Sequence, residues 1–175
     1  NQKAYDELLV AIEASEGMLS LLIAVCDDCN FRNQVIKRYE TELQPDIRSY
    51  QLELPRGEPS LKAAIAELVQ GDEYLQNGGR AVLTVTGVEK LNSVKLGAER
   101  SEQEIFFGYL QWTREGLREF PYPLALWLTN QILGDLRKKA PDFWSWRKGI
   151  FRFFSKKTAA ISSREIADLP MILDG

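Results

Sequence analysis

The stretch that most constrains the fold is residues 19–33, LSLLIAVCDDCNFRN. Its apolar run, residues 21–25, ends in a short polar turn, and an amphipathic helical pattern follows directly. A buried strand, a loop and a helix in this order are typical of the opening unit of an α/β domain. In such folds, ligands bind in the crevice outside the carboxyl ends of the strands. We therefore expect a site, if the chain has one, at residues 26–33.

Four further apolar segments have the length and composition of strands. They are residues 47–54, 81–86, 124–128 and 150–154. Apolar and polar residues alternate in residues 47–54, which favours a strand near the edge of the sheet. Residues 81–86 are short and β-branched, which favours a central strand buried on both faces. Because helical patterns separate the strands, the chain predicts an α/β fold: a three-layer sandwich with a five-stranded, mostly parallel sheet and right-handed crossovers.

Capping residues and prolines predict where the helices begin and end. The sequence Ser101-Glu102-Gln103-Glu104 is a capping box, so a helix should begin there. The predicted helices cover residues 2–14, a segment after the first turn whose apolar residues run from Phe31 to Leu43, residues 60–69, residues 101 to about 120, a segment from Thr129 or Asn130 to before Pro141, and a last turn capped by Ser162.

Composition limits the domain count and the chemistry. The 175 residues fit one domain, with a core from about residue 19 to 154. A net charge of -3 and the lack of a long apolar run argue against nucleic-acid and membrane partners. The absence of histidine excludes Ser-His-Asp and Cys-His catalysis and His-ligated metal sites. The two cysteines fit a reducing, cytoplasmic location, and a start at Asn1 without Met suggests a fragment of a longer multidomain protein.

The turn after the first strand has the position of a phosphate-binding P-loop, Gly-x-x-x-x-Gly-Lys-Ser/Thr. That spacing puts Cys26 and Phe31 at the glycines, Arg32 at the lysine and Asn33 at the hydroxyl residue. The positive charge is kept, whereas the glycines and the hydroxyl are replaced. A side chain at a left-handed glycine position costs roughly 1–2 kcal/mol, and the two consecutive acids of the turn would repel phosphate. Tight nucleotide binding in the usual manner is therefore not expected.

Three segments carry a resemblance to a known family. They are VTGVEKL (residues 85–91), PLALWLTN (123–130) and APDFWSWRKGIFRF (140–153). From about residue 19 to 154, the chain resembles the nucleotide-binding domain of STAND-type P-loop signalling ATPases, which are joined to tetratricopeptide repeats in bacteria, especially cyanobacteria. The resemblance implies a P-loop-NTPase-like fold. It also implies that the acid handling Mg²⁺ and water falls at Glu89, and that a polar sensor falls at Thr129 or Asn130.

Two functional hypotheses follow. The first is a non-catalytic interaction or regulatory module without a cofactor, a degenerate NTPase-like domain that binds other protein domains of a larger signalling protein. The alternative is an ATP- or GTP-binding switch or slow ATPase that uses Mg-ATP, with Glu89 as its catalytic residue. Its nucleotide site would consist of Cys26, Asn30, Phe31, Arg32, Asn33, Thr129 and Asn130.

Two other patterns suggest chemistry. Trp144, Trp146 and Arg147 mix aromatic and basic side chains, as single-strand nucleic-acid binders do, but the same side chains also suit a packed helix-to-strand corner or an interface with a following domain. Cys26 and Cys29 form a CxxC at the start of a helix, which is the position of a dithiol redox motif. The two intervening carboxylates would raise a thiol pKa, so we expect incidental cysteines.

Overall fold

The computed structural model describes residues 1–15, 17–94 and 100–155. Five strands form one sheet in the order β2-β3-β4-β1-β5, and each pairing among the described residues is parallel. The strands are β1 (Ser20–Val25), β2 (Arg48–Glu53), β3 (Ala81–Thr86), β4 (Pro123–Leu128) and β5 (Arg147–Arg152). The five predicted strands are confirmed, but the fifth, expected at residues 150–154, begins and ends earlier in the chain, at Arg147–Arg152. The alternating strand lies at the edge, as its pattern predicts.

Helices connect these strands. They are α1 (Gln2–Ala14), α2 (Cys29–Leu43), α3 (Leu61–Gln70), α4 (Glu73–Gln76), α5 (Glu102–Thr113), α6 (Asn130–Lys139) and α7 (Pro141–Trp144). Side-chain oxygens of Ser60, Ser101 and Thr129 accept backbone N–H bonds at the starts of α3, α5 and α6, so the predicted caps are confirmed. In the described part of the chain, no helix is long and apolar enough to cross a bilayer.

One predicted helix has different bounds. The helix expected from residue 101 to about 120 ends at Thr113, and a 3-10 helix covers Arg114–Glu119. Thr113 is β-branched and Gly116 is a glycine. Both have low α-helix propensity, so the α-helix ends here and the chain continues as a 3-10 helix. The turn predicted at Ser162 lies outside the described residues.

The sheet separates two apolar cores, because successive side chains of a strand face opposite sides. Leu21, Ile23 and Val25 of β1 contribute to one core, which α3, α5, α6 and α7 cover. Leu22 and Ala24 contribute to the other, which α1 and α2 cover. This arrangement confirms the predicted three-layer α/β sandwich. It also places the carboxyl ends of all five strands along one edge of the sheet.

A buried hydrogen-bond network holds α2 against the sheet. The Tyr39 hydroxyl lies 2.6 Å from Thr84 Oγ1 of β3 and accepts a hydrogen bond from Trp127 Nε1 of β4 at 3.2 Å. Burial raises the pKa of the Tyr39 phenol, so the hydroxyl stays protonated and can satisfy the network. The network therefore fixes the position of α2, whose first turn lies at the carboxyl edge of the sheet.

Candidate functional site

The turn between β1 and α2 is short, and one of its own side chains caps the start of α2. It has three residues, because β1 ends at Val25 and α2 begins at Cys29. The Asp28 carboxylate accepts hydrogen bonds from the backbone N–H groups of Asn30 at 3.0 Å and Phe31 at 3.1 Å. Free N–H groups at a helix start are the donors that bind phosphate in many nucleotide sites. Here a carboxylate of the protein itself engages two of them.

The backbone of this turn differs from that of a phosphate-binding loop. A P-loop keeps an open chain between its glycine positions, so that successive N–H groups can surround the anion. At that spacing the positions are Cys26 and Phe31, but the chain already enters α2 at Cys29. Among the described residues, only glycines have a positive φ, so neither position is left-handed. The segment has the geometry of a tight strand-to-helix turn.

Arg32 and Glu89 form an ion pair at the centre of the site. Arg32 Nη1 donates to Glu89 Oε1 at 2.7 Å, and the two side chains are only 11% and 16% exposed. Arg32 also donates from Nε and Nη2 to Asn33 Oδ1, each at 3.2 Å. The residues predicted to contact phosphate and to handle Mg²⁺ therefore lie together, and they satisfy each other.

Local backbone geometry after β3 positions Glu89. The strand ends at Thr86, and a 3-10 helix covers Val88–Lys90. Gly87 between them has a φ of 96°, a conformation that other residues rarely adopt. A Cβ at Gly87 would lie 2.8 Å from Glu53 Cγ, so another residue here would also displace the Glu53 side chain of β2. This turn directs the glutamate toward the first turn of α2.

A second network links the carboxyl ends of β1, β4 and β5. The Asp27 carboxylate accepts hydrogen bonds from the backbone N and from Nδ2 of Asn130, both at 2.9 Å. Arg152 Nη1 donates to Asn130 Oδ1 at 3.0 Å. Thr129 Oγ1 accepts from Ile132 N at 3.3 Å and caps α6. The two predicted sensor positions therefore lie at this edge, where one caps a helix and the other joins it to the turn after β1.

The cysteines of the CxxC pattern differ in exposure. Cys26 is buried, and its thiol donates to the Asp28 carbonyl at 3.2 Å, whereas Cys29 is exposed. Desolvation, the largest cause, raises the pKa of the Cys26 thiol, and the carboxylates of Asp27 and Asp28 raise it further. A reactive dithiol needs an accessible thiolate, so these observations favour incidental cysteines. Within the described ranges, no three Cys, Asp or Glu side chains converge as a metal-binding group.

Trp144, Trp146 and Arg147 lie at the other end of the sheet, where β5 begins. The Arg147 guanidinium stacks 4.4 Å from the centroid of Trp144, and Arg118 lies 4.7 Å from that of Trp146. The structure therefore does not bring this aromatic cluster to the turn at residues 26–33. Both tryptophans are partly buried, and Trp144 packs against the apolar core.

Sequence reasoning missed three polar residues of the site. Asp27, Asp28 and Arg152 form hydrogen bonds at the site, whereas the sequence indicated the two acids only as charges that repel phosphate and raise a thiol pKa. An Asp directly before a helical pattern is a typical N-cap, so that signal was present for Asp28. The bonds of Asp27 and Arg152 connect distant parts of the chain and have no local signal.

Comparison with known proteins identifies the fold. No family model and no curated protein matches this sequence. Among solved structures, the chain is similar to the ORC2 protein of Aeropyrum pernix, determined as ADPNP-ADP complexes, with a TM-score of 0.52 and 10% sequence identity. The fold is P-loop NTPase-like. The similarity covers 96% of this chain and 50% of that one, so the chain spans half the length of its structural neighbour.

Proposed function

We propose that this chain is a non-catalytic interaction or regulatory module, an NTPase-like domain whose nucleotide site is degenerate. The observation that carries the proposal is the ion pair between Arg32 and Glu89 at 2.7 Å. In a working P-loop NTPase, the cation contacts the phosphates, while acidic and hydroxyl residues hold Mg²⁺ or position water. Here the cation and the acid neutralise each other. Nucleotide binding would first have to separate a largely buried pair.

The acids of the turn add a second barrier to phosphate. The Asp28 carboxylate would have to leave two N–H groups at the start of α2 before an anion could bind them. A phosphate brought there would also meet the carboxylate of Asp27, which Asn130 holds at the same edge. Asp27 is exposed, so water screens this repulsion, and the engaged N–H groups of α2 are the stronger obstacle. These contacts support a site closed by its own side chains.

The proposal gives the domain a context. It belongs to a STAND-type bacterial signalling protein, cyanobacterial in particular, with tetratricopeptide repeats in the same longer chain and a cytoplasmic location. Its partners are other protein domains, and Trp144, Trp146 and Arg147 contribute to the surface that binds them. The resemblance of residues 140–153 to that family supports this context.

The alternative function is an ATP- or GTP-binding switch or a slow ATPase. The observation that favours it is the similarity to a solved chain whose structure was determined with ADPNP and ADP. In this alternative, Arg32 would release Glu89 when Mg-ATP binds. The cation would then contact phosphate, and Glu89 with Asn33 would handle Mg²⁺.

Isothermal titration with Mg-ATP and Mg-ADP separates the two functions. We expect no binding heat up to millimolar nucleotide with the 175-residue chain. Binding at micromolar concentration that disappears in Arg32→Ala would overturn the proposal and establish the switch. Lys37→Ala is the matched control, because it removes an exposed cation from the same helix away from the site. Thermal unfolding of each variant verifies that it is folded.

A further inference from the structure

We propose that a cavity at the amino-terminal edge of the sheet binds a small organic anion with a planar apolar body, such as an aromatic carboxylate. The cavity measures about 350 Å³ and lies where β1, β4 and β5 begin. Ligand sites are usually clefts of roughly 300–1,000 Å³ with an apolar lining and a few well-placed polar groups. This cavity has that size and that lining.

The floor of the cavity is apolar. Five side chains from β1, β4, α7 and the segments before β1 and β4 form it: Leu19, Leu21, Leu117, Leu124 and Phe143. Four of them are buried members of the core that α3, α5, α6 and α7 cover. Burying the apolar body of a ligand on such a surface is favourable, because apolar area is removed from water.

The rim of the cavity is basic. Arg118, Arg147 and Lys148 line it together with Trp146, and none of its lining residues is acidic. Arg118 also pairs with Glu115 at 3.3 Å, but both side chains are about two-thirds exposed, and such a pair is weak. A cationic rim over an apolar floor matches an amphiphilic anion, with its carboxylate at the rim and its apolar body on the floor.

A β-bulge brings two of the cations to the same side. Leu21 of β1 pairs with Arg147, whereas the next residue, Leu22, pairs with Gly149, so Lys148 is the extra residue of β5. In a regular strand, neighbouring side chains face opposite sides of the sheet, but here Arg147 and Lys148 both line the cavity. Bulges commonly redirect side chains beside functional sites. This local irregularity therefore concentrates positive charge at the cavity.

The indole of Trp146 selects a planar ligand. Arg118 lies 4.7 Å from its ring centroid, so the guanidinium covers one face of the indole and an aromatic guest would contact the other. A fixed aromatic face favours an aromatic guest that stacks against it. The preferred ligand is therefore an aromatic carboxylate, and a flexible aliphatic acid should bind more weakly.

This inference goes beyond the proposed function and does not depend on the nucleotide site, although Trp146 and Arg147 of the proposed partner surface also line the cavity. The cavity lies at the amino ends of the strands, whereas Arg32 and Glu89 lie at the carboxyl edge. The nucleotide titration and a carboxylate titration therefore have independent outcomes. Either site can fail its test without affecting the result at the other.

The probe is 2-naphthoate, compared with its neutral amide, 2-naphthamide. We expect the naphthoate to bind the 175-residue chain with saturation at about 1 mM or below, measured by calorimetry and ligand-observed NMR. The amide should bind clearly more weakly, because it lacks the negative charge. Lys148→Gln should weaken naphthoate binding by about tenfold, since a hydrogen bond to a charged group is lost.

Two further variants make the result decisive. Leu19→Phe fills the cavity without changing any charge and should abolish binding. Lys37→Gln removes a cation from α2 on the opposite face of the sheet and should leave binding unchanged. The proposal is overturned if naphthoate does not bind, if the amide binds equally well, or if Lys37→Gln weakens binding as much as Lys148→Gln does.

Discussion

At the residue scale, the charged side chains of the carboxyl edge satisfy one another. Arg32 is bound by Glu89 and Asn33, and the Asp27 carboxylate is bound by Asn130. A partly buried charge without a partner is costly. When a site no longer binds phosphate and Mg²⁺, the residues that contacted them therefore need other partners. Replacing the glycines alone would not be enough, because the cation would remain unpaired.

The first prediction concerns the free energy of this ion pair. Arg32→Ala should lower the free energy of unfolding by about 1–3 kcal/mol, because it leaves Glu89 partly buried without its cation. Glu89→Ala should have a similar effect. Chemical denaturation of both variants measures these changes.

A double-mutant cycle isolates the pair itself. The double variant Arg32→Ala/Glu89→Ala should cost less than the sum of the single changes, because neither charge is then left alone. If the double variant loses as much free energy of unfolding as the two single variants together, the two side chains act independently. That result would remove the main support for a site closed by its own residues.

The sequence predicted the place of these residues but not their partners. The P-loop spacing located Arg32 and Asn33, whereas the resemblance to the STAND-type family implied the position of Glu89. The Arg32–Glu89 bond joins residues 57 positions apart in the chain. Such a bond depends on the three-dimensional path of α2 and of the 3-10 helix at Val88–Lys90, which no local pattern specifies.

At the scale of elements, one carboxylate joins three segments of the chain. Glu102, the first residue of α5, accepts hydrogen bonds from Arg56 Nη2 at 2.7 Å, Gly57 N at 2.6 Å and Asn92 N at 2.9 Å. It therefore connects the loop after β2, the segment after β3 and the start of α5. The pKa of Glu102 is lowered to about 2. The hydrogen bond from the Arg56 guanidinium is the largest cause, and those from the two backbone N–H groups follow.

This connection predicts a pH dependence of stability. Because the pKa of Glu102 falls from 4.5 to about 2 on folding, its stabilising effect is present above pH 4.5 and is lost as pH falls toward 2. Glu102→Gln should therefore lower the unfolding temperature at pH 6, and its difference from the wild type should shrink at pH 2.5. Thermal unfolding at both pH values measures this. Glu58→Gln, in the loop after β2 that contains Arg56, is the control for the loss of one exposed negative charge.

Local patterns predicted the elements themselves better than their irregularities. Strand patterns and capping serines are short-range signals, and they located β1 to β5 and the starts of α3 and α5. The end of α5 and the bulge at Lys148 depend on how the chain packs against the rest of the molecule. A bulge adds one residue to a strand without changing its composition, so the sequence pattern alone does not reveal it.

At the scale of the whole molecule, β1 connects both cores. Alternate residues of this strand enter the core under α5 and α6 and the core under α1 and α2, and Cys26 at its end belongs to the second. Because β4 and β5 pair with β1 on either side, loss of β1 would disrupt both cores and its two pairings, with β4 and with β5. The described chain should therefore unfold as one cooperative unit.

Cys26 provides a direct test of that cooperativity. In the variant Cys29→Ser, the remaining thiol is buried and should react with a thiol reagent only when the core around β1 opens. Since both cores depend on this strand, the urea midpoint of Cys26 labelling should coincide with those of tryptophan fluorescence and circular dichroism. In the converse variant, Cys26→Ser, the exposed Cys29 should react without urea. Labelling of Cys26 at a distinctly lower urea concentration would show that the α1 and α2 side opens first, and that the two cores are only weakly coupled through the sheet.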